Sequence, residues 1–235
     1  MKPLHHTAIP RRNLASEVAQ ALRAEIISGN LNPGASLSEP ALAKHFGLSR
    51  VPVREALIEL EREGLLQFES TGRTRVRTMN EGDLDEIIEA RVILESAAAR
   101  RVAEIWSAED TQWMEANIAA QTDAVTLSDL SRLDVELHLY VMRRAGNARL
   151  LRMWQIVRWQ FEMCLAMAHR LQETLSFKPH KITVDSHRRL LAALASGKPE
   201  LAATTMASHI QSSREWTYGD SGFGTETASA YSSIK

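Results

Sequence analysis

Apolar residues recur at helical spacing along most of the chain, and only short stretches alternate as strands do. Leu14, Val18, Ala21, Leu22, Ile26 and Ile27 fall on one face of a helix that Asn13 caps and Gly29 ends. The segment LNPGASLS, with Pro33-Gly34, reads as a turn. Leu42 and Phe46, four apart, predict a short helix from Glu39 to Phe46, ended by Gly47. Ser49 then caps a third helix running to about Glu63, with Val53, Leu57 and Leu60 as its buried stripe and Gly64 as its stop. LLQFE and RVRT, around Ser70-Thr71-Gly72, predict a small hairpin. Three helices and a hairpin in this order are a winged helix-turn-helix, with the third helix as reader.

After Met79 the strand pattern disappears as far as about Trp216. Helix starts are marked by Asn80 with Asp83, by Ser107 with Asp110, and by Ser128. Gly146-Asn147, Lys178-Pro179 and Gly197-Lys198-Pro199 punctuate the remainder. About six helices of ordinary length fit there, an all-α helical bundle. The expected organisation is mostly α: a loose polar arm (1–12), the winged helix-turn-helix (13–79), an all-α effector domain (80–216), and a Gly/Ser/Thr-rich disordered tail (217–235).

Composition adds compartment and sign of charge. The chain has 235 residues, 44% hydrophobic and 24% charged, with a net charge of −1. Residues 1–79 hold 11 lysines and arginines against 8 acids, and the remainder 17 against 21. A basic front on an acidic body is correctly signed for nucleic acid at the N-terminal end. Cys164 is the single cysteine, so no internal disulfide forms, which suits a reducing compartment. MKPLHHTAIPRRN contains no signal-peptide core, and no apolar run reaches membrane-spanning length. The expectation is a cytoplasmic protein with no membrane partner.

In GLSRVPVREAL, Pro52 lies in the first helical turn, whose amides have no intrahelical acceptor, so the proline forfeits no hydrogen bond. Arg50 and Arg54 are one turn apart at the positive end of the helix dipole. Arginines so placed can bridge guanine O6 and N7 or clamp phosphates, and Ser49 can cap and touch a phosphate. The alternative is a surface helix whose Arg54 pairs with a neighbouring acid such as Glu55 or Glu61.

Farther on, Asp134 and His138 are four apart and share a helical face. His187 and His209 lie on the last two helices; if these are antiparallel, both imidazoles can meet that pair. One carboxylate and three neutral imidazoles make a divalent transition-metal site. The alternative is that these are ordinary core or surface residues.

GNLNPGASLSEPALAKHFGLSRVPVREALIELEREGLL closely resembles the GntR superfamily of bacterial transcription regulators over residues 13–78. The resemblance implies that Ser49, Arg50, Val51, Pro52 and Arg54 contact operator DNA. Val51 stands where the family usually has threonine. The wing reads Ser-Thr-Gly-Arg-Thr-Arg where a Gly-Arg-Gly run is more usual, with Gly72 and Arg73 reaching the minor groove or backbone. The order Asp-x3-His, Gly-Asn, SHRRLLAAL, a Gly turn and a final His resembles the FCD domain of the FadR subfamily. That likeness implies a metal on Asp134, His138, His187 and His209, zinc first, with nickel or manganese as alternatives. It also implies a small carboxylate effector, with Arg91 facing it; Glu95 or Glu89 is the competing ion-pair partner. Arg158 and His169 are further candidates for the cavity wall, and Trp154 and Trp159 for the core or a dimer contact.

The expected function is an effector-responsive repressor binding a palindromic double-stranded operator as a homodimer, and not an enzyme. Two competing readings are a metal-dependent hydrolase using the same four ligands, and a regulator whose metal is purely structural. Against the hydrolase stand the lack of an H-E-x-x-H motif and of a separate general base beside the ligands.

Overall fold

The computed structural model describes residues 14–174 and 179–218. The N-terminal arm, the Asn13 cap and residues 219–235 lie outside them, as do the side chains at 127–128, 166–174, 179–180 and 213–218, including those of His169 and Trp216. The first helix, α1 (Leu14–Ser28), is followed by β1 (Ser36–Leu37), α2 (Glu39–Phe46), α3 (Arg50–Arg62), β2 (Leu66–Phe68) and β3 (Thr74–Val76). The strands form an antiparallel sheet in the order β1-β3-β2, with Leu37 opposite Thr74 and Leu66 opposite Val76. The two-residue β1, within the segment read as a turn, makes the hairpin a three-stranded wing. Its pairing with β3 is set by the fold and has no periodicity of its own.

Val18, Leu22 and Ile26 of α1 meet Val53, Ala56, Leu57 and Leu60 of α3 in the core of this head. Each large side chain removed from water there contributes about 1.5–3 kcal/mol. On α2 the stripe of Leu42 and Phe46 is only half-buried, and Ala43 is the fully buried residue. Ser49 occupies the N-cap position of α3, but its hydroxyl makes no capping hydrogen bond.

The body consists of α4 (Glu81–Ala103), α5 (Ala108–Thr122), α6 (Leu127–Arg144), α7 (Ala148–Thr174), α8 (Pro179–Ala195) and α9 (Pro199–Tyr218). Reciprocal capping boxes start α4 at Asn80/Asp83 and α5 at Ser107/Asp110. Helix α6 starts at Thr126, not Ser128: the Thr126 hydroxyl accepts from the Asp129 amide at 3.0 Å, placing the acid at the third helical position. Helix α9 runs to Tyr218, so Thr217 and Tyr218 are helical where a disordered tail was expected. Helix α4 packs along α9 and also against α6 and α7, and α5 packs against α8. No helix of the described residues is long and apolar enough to cross a membrane.

Head and body meet at α7. Arg23 of α1 holds Glu63 through two hydrogen bonds of 2.9 and 2.7 Å, and its guanidinium lies 4.4 Å from the centre of the Trp159 ring. Gln160 donates to the Glu63 carbonyl at 3.2 Å. Gly64, at φ +74°, leaves room for that amide: a Cβ there would stand 2.5 Å from Gln160 Nε2. Gly64→Ala is therefore expected to destabilise the protein by about 1–2 kcal/mol from the left-handed backbone alone, and by more as Gln160 is pushed off Glu63. Urea unfolding checks this; in a Gln160→Ala background the extra loss should vanish, leaving the backbone cost.

Candidate metal centre and nucleic-acid interface

Three helices of the body converge on one point. Helix α6 supplies Asp134 and His138, one turn apart; α8 supplies His187 and α9 His209. Their ligand atoms all lie within 4.8 Å of one another, a group that could hold a metal ion. Atoms bound at about 2.1 Å to a single ion stand roughly 3–4 Å apart. Here His138 Nε2 and His209 Nε2 are 3.0 Å apart. His187 Nε2 lies 3.1 Å from Asp134 Oδ1 but outside hydrogen-bonding geometry, a buried nitrogen with no hydrogen-bond partner among the described residues. An orphaned buried nitrogen is costly, and a cation is a chemically suitable occupant.

The other ring nitrogens are all committed to protein. Nδ1 of His138 contacts Glu95, that of His187 lies 2.7 Å from Gln121 Oε1, and that of His209 lies 2.7 Å from Ser186 Oγ. Such partners fix ring orientation and leave each Nε2 to face its neighbours. Glu95 is fully buried and also accepts from Arg91 at 2.6 Å and from the Trp154 indole at 2.7 Å. Gln121 is held in turn by Asn117, whose amide it donates to at 2.7 Å. Glu95 as an imidazole partner, Gln121 and Ser186 were not anticipated from sequence; Glu95 appeared there only as the i+4 neighbour of Arg91.

The electrostatics favour ligand-competent protonation. Burial alone would raise the Glu95 carboxyl, but the Arg91 charge and His138 hold it well below the usual carboxylate range. Burial opposes ionisation of Asp134 as well, and the His187 contact and the surrounding histidines override it. His187 and His209 are pushed below the ordinary imidazole range, first by burial; at His209 the neighbouring His187 and His138 charges add to it, while Asp134 opposes it at His187. Neutral imidazoles beside an ionised carboxylate are the forms that bind cations.

A cavity of about 110 Å³ opens beside the cluster, lined by Arg91, Asp134, His138, Phe161, Ile182, Thr183, Ser186, Arg189, His209, Ile210 and Ser212. Arg91 is paired with Glu95, its competing partner, and it also forms cavity wall, with its guanidinium 3.8 Å from the centre of the Phe161 ring. Arg158 is not in the wall. It bonds Glu162 at 2.5 Å and lies over Trp159, because its position on α7 turns it towards the head. Trp154 is a core residue whose N–H orients Glu95, and Trp159 sits at the head–body contact.

On the head, Ser49, Arg50, Val51 and Arg54 are exposed along the start of α3, and Pro52 is half-buried. Arg50 donates to Glu39 of α2 at 2.7 Å. Arg54 has no ion pair among the described residues, so the suggested pairing with Glu55 or Glu61 does not form. Val51 is 65% exposed, an apolar contact surface beside the arginines. In the wing, Gly72 takes φ +79° at the hairpin tip, with exposed Arg73 next to it. Arg75 is held by Glu69 at 2.6 Å and by the Gly34 carbonyl at 2.9 Å.

Two family models match the chain: "Bacterial regulatory proteins, gntR family" over residues 14–76 and the FCD domain over residues 86–212. A "Probable D-xylose utilization operon transcriptional repressor" from Paenarthrobacter nicotinovorans is 33% identical over 205 residues, covering 86% of this chain and 88% of its own. The "Gluconate operon transcriptional repressor" of Bacillus licheniformis is 24% identical over 196 residues, covering 82% and 80%. Among solved structures, E. coli McbR/YncC shares the fold at a TM-score of 0.73 and 24% identity, covering 88% of this chain and 98% of that one. With a GntR-type head joined to an FCD body, the chain belongs to the GntR family of bacterial regulatory proteins and is a transcriptional regulator, not an enzyme.

Proposed function

We propose that this regulator is an effector-responsive repressor. It binds a palindromic operator as a homodimer, one α3 per half-site, through Ser49, Arg50, Val51, Pro52 and Arg54, with Gly72 and Arg73 of the wing at the backbone or minor groove. The division of labour falls between residues 79 and 80. Asp134, His138, His187 and His209 would hold a divalent ion, zinc by the chemistry of the donor set, with nickel or manganese as alternatives. When bound, that ion supplies positive charge for gripping a small carboxylate, and Arg91 faces the same space.

The observation that carries this reading is the cavity. Three of the four ligand residues line it beside Arg91, so the cluster is open on one side, as a ligand-accepting site is and a closed structural site is not. Helix α7 gives a route from cavity to head. It places Trp154 on Glu95 and Phe161 under Arg91, and between those two positions it presents Trp159 and Gln160 to Arg23 and Glu63. An effector favouring one arrangement of α7 would shift the population of head positions.

A thermal-shift screen of small carboxylic acids, with and without a chelator, followed by gel shifts on the regulated promoter, tests the reading. A metal-dependent stabiliser that also changes operator affinity supports it. Chelation that melts the body without altering ligand response would instead make the ion structural. Replacing the orienting carboxylate, Glu95→Gln, is expected to weaken zinc binding roughly 10–100-fold. Competition against a chromogenic chelator reads that loss.

A further inference from the structure

The cavity has one more cation than a single carboxylate requires. Ile182, Ser186 and Arg189 lie at i, i+4 and i+7 on α8 and all line the cavity. Ser186 is buried and committed to His209. Arg189 is exposed, and among the described residues it has neither ion pair nor hydrogen bond. Its neighbour Arg188, by contrast, is bonded to Asp185 at 3.1 Å. Deeper in, the Arg91 charge is matched by Glu95. With the divalent ion of the proposed function, two arginines and the ion face two carboxylates, Glu95 and Asp134, for a formal charge of +2. One effector carboxylate neutralises half of that. The uncompensated charge at the cavity's exposed rim belongs to Arg189.

We propose that Arg189 is a specificity determinant that recognises a second anionic group, carboxylate or phosphate, on the outward end of the effector. The effector class is then a short hydroxylated acid with two anionic termini, rather than a monocarboxylate. The hydroxyl of Thr183, a buried residue on the same wall without a hydrogen-bond partner among the described residues, is placed to meet a hydroxyl between those termini. The inference rests on the effector reading above and sharpens it.

Calorimetric titration of the zinc-loaded full-length protein with length-matched acids tests the assignment. The series are 3-hydroxybutyrate against malate, and gluconate against glucarate and 6-phosphogluconate. The expected result is about tenfold tighter binding of the dianion over its matched monoanion in at least one series. Arg189→Gln should erase that advantage while leaving monoanion affinity and zinc content unchanged, and Arg189→Lys should retain most of it. Whether glucarate or 6-phosphogluconate binds tighter tells which anionic group Arg189 takes. Equal affinities in the wild type, or an advantage surviving Arg189→Gln, overturn this inference alone. Binding of none of these acids overturns it together with the effector reading.

Discussion

Arg54→Ala is expected to abolish useful operator binding while leaving the fold intact. Arg54 is exposed on the first turns of α3, and no acid in the head claims it. A bidentate arginine–guanine contact contributes about 1–3 kcal/mol of discrimination. The proposed dimer on two half-sites would lose it twice, so affinity should fall by on the order of 100-fold or more. The same substitution also decides what Arg54 touches. If it reads a base edge, the variant should bind mutated and natural operators more nearly alike. If it only clamps a phosphate, binding should weaken evenly across sequences and the salt slope should drop by about one unit. Arg50 is expected to behave differently, because Glu39 already holds it at 2.7 Å and, in the proposed binding mode, would have to release it on the duplex. Unchanged affinity of Arg54→Ala in a gel-shift titration would remove α3 from the interface.

The head was readable because local rules decide it. Pro52 in the first turn, the Val53-Leu57-Leu60 stripe and the glycines at 47 and 64 act within one or two turns, and each is met in the fold. The pairing of Asp134 with His138 is equally local. The surroundings of the cluster are another matter. Glu95 reaches His138 across 43 residues and Gln121 reaches His187 across 66, so no window of sequence contains both partners. Arg23, Glu63 and Trp159 likewise assemble only when α1, the end of α3 and α7 are packed together. Helix α6 starts from a cap two residues before the expected Ser128, since Thr126 and Ser128 are both good caps. The choice fell to Asp129, which lies three residues after Thr126. At Arg91 the local ion pair is observed, since its Nε bonds Glu95 at 2.6 Å, and the same group walls the cavity where the effector is proposed to sit.

Removing two ligands together, with His187→Ala and His209→Ala, is expected to weaken zinc binding by on the order of 1,000-fold or more. It should also erase effector response, while operator binding without effector persists. At free zinc a thousandfold above its dissociation constant, the proposed ion would stabilise the native state by about 4 kcal/mol. For a chain of this size that corresponds to a melting temperature roughly 8–16 °C higher, a rise that chelation should remove from the wild type and that the double variant should lack. The pH dependence follows from the same residues. In the folded state burial keeps His187 and His209 neutral below the ordinary imidazole value of 6.5, whereas in the unfolded chain both take up protons near it. The unfolded state then binds more protons, so stability is fully present above that pH and declines as the pH falls through it. The chelated wild type should lose stability on acidification below about pH 6.5, and the double variant should lose markedly less over the same interval. Melting curves of both proteins across that range, paired with elemental analysis, measure the two effects together. A wild type that carries no metal after purification and melts independently of chelator, while still losing stability on acidification, would show that the three imidazoles serve packing alone.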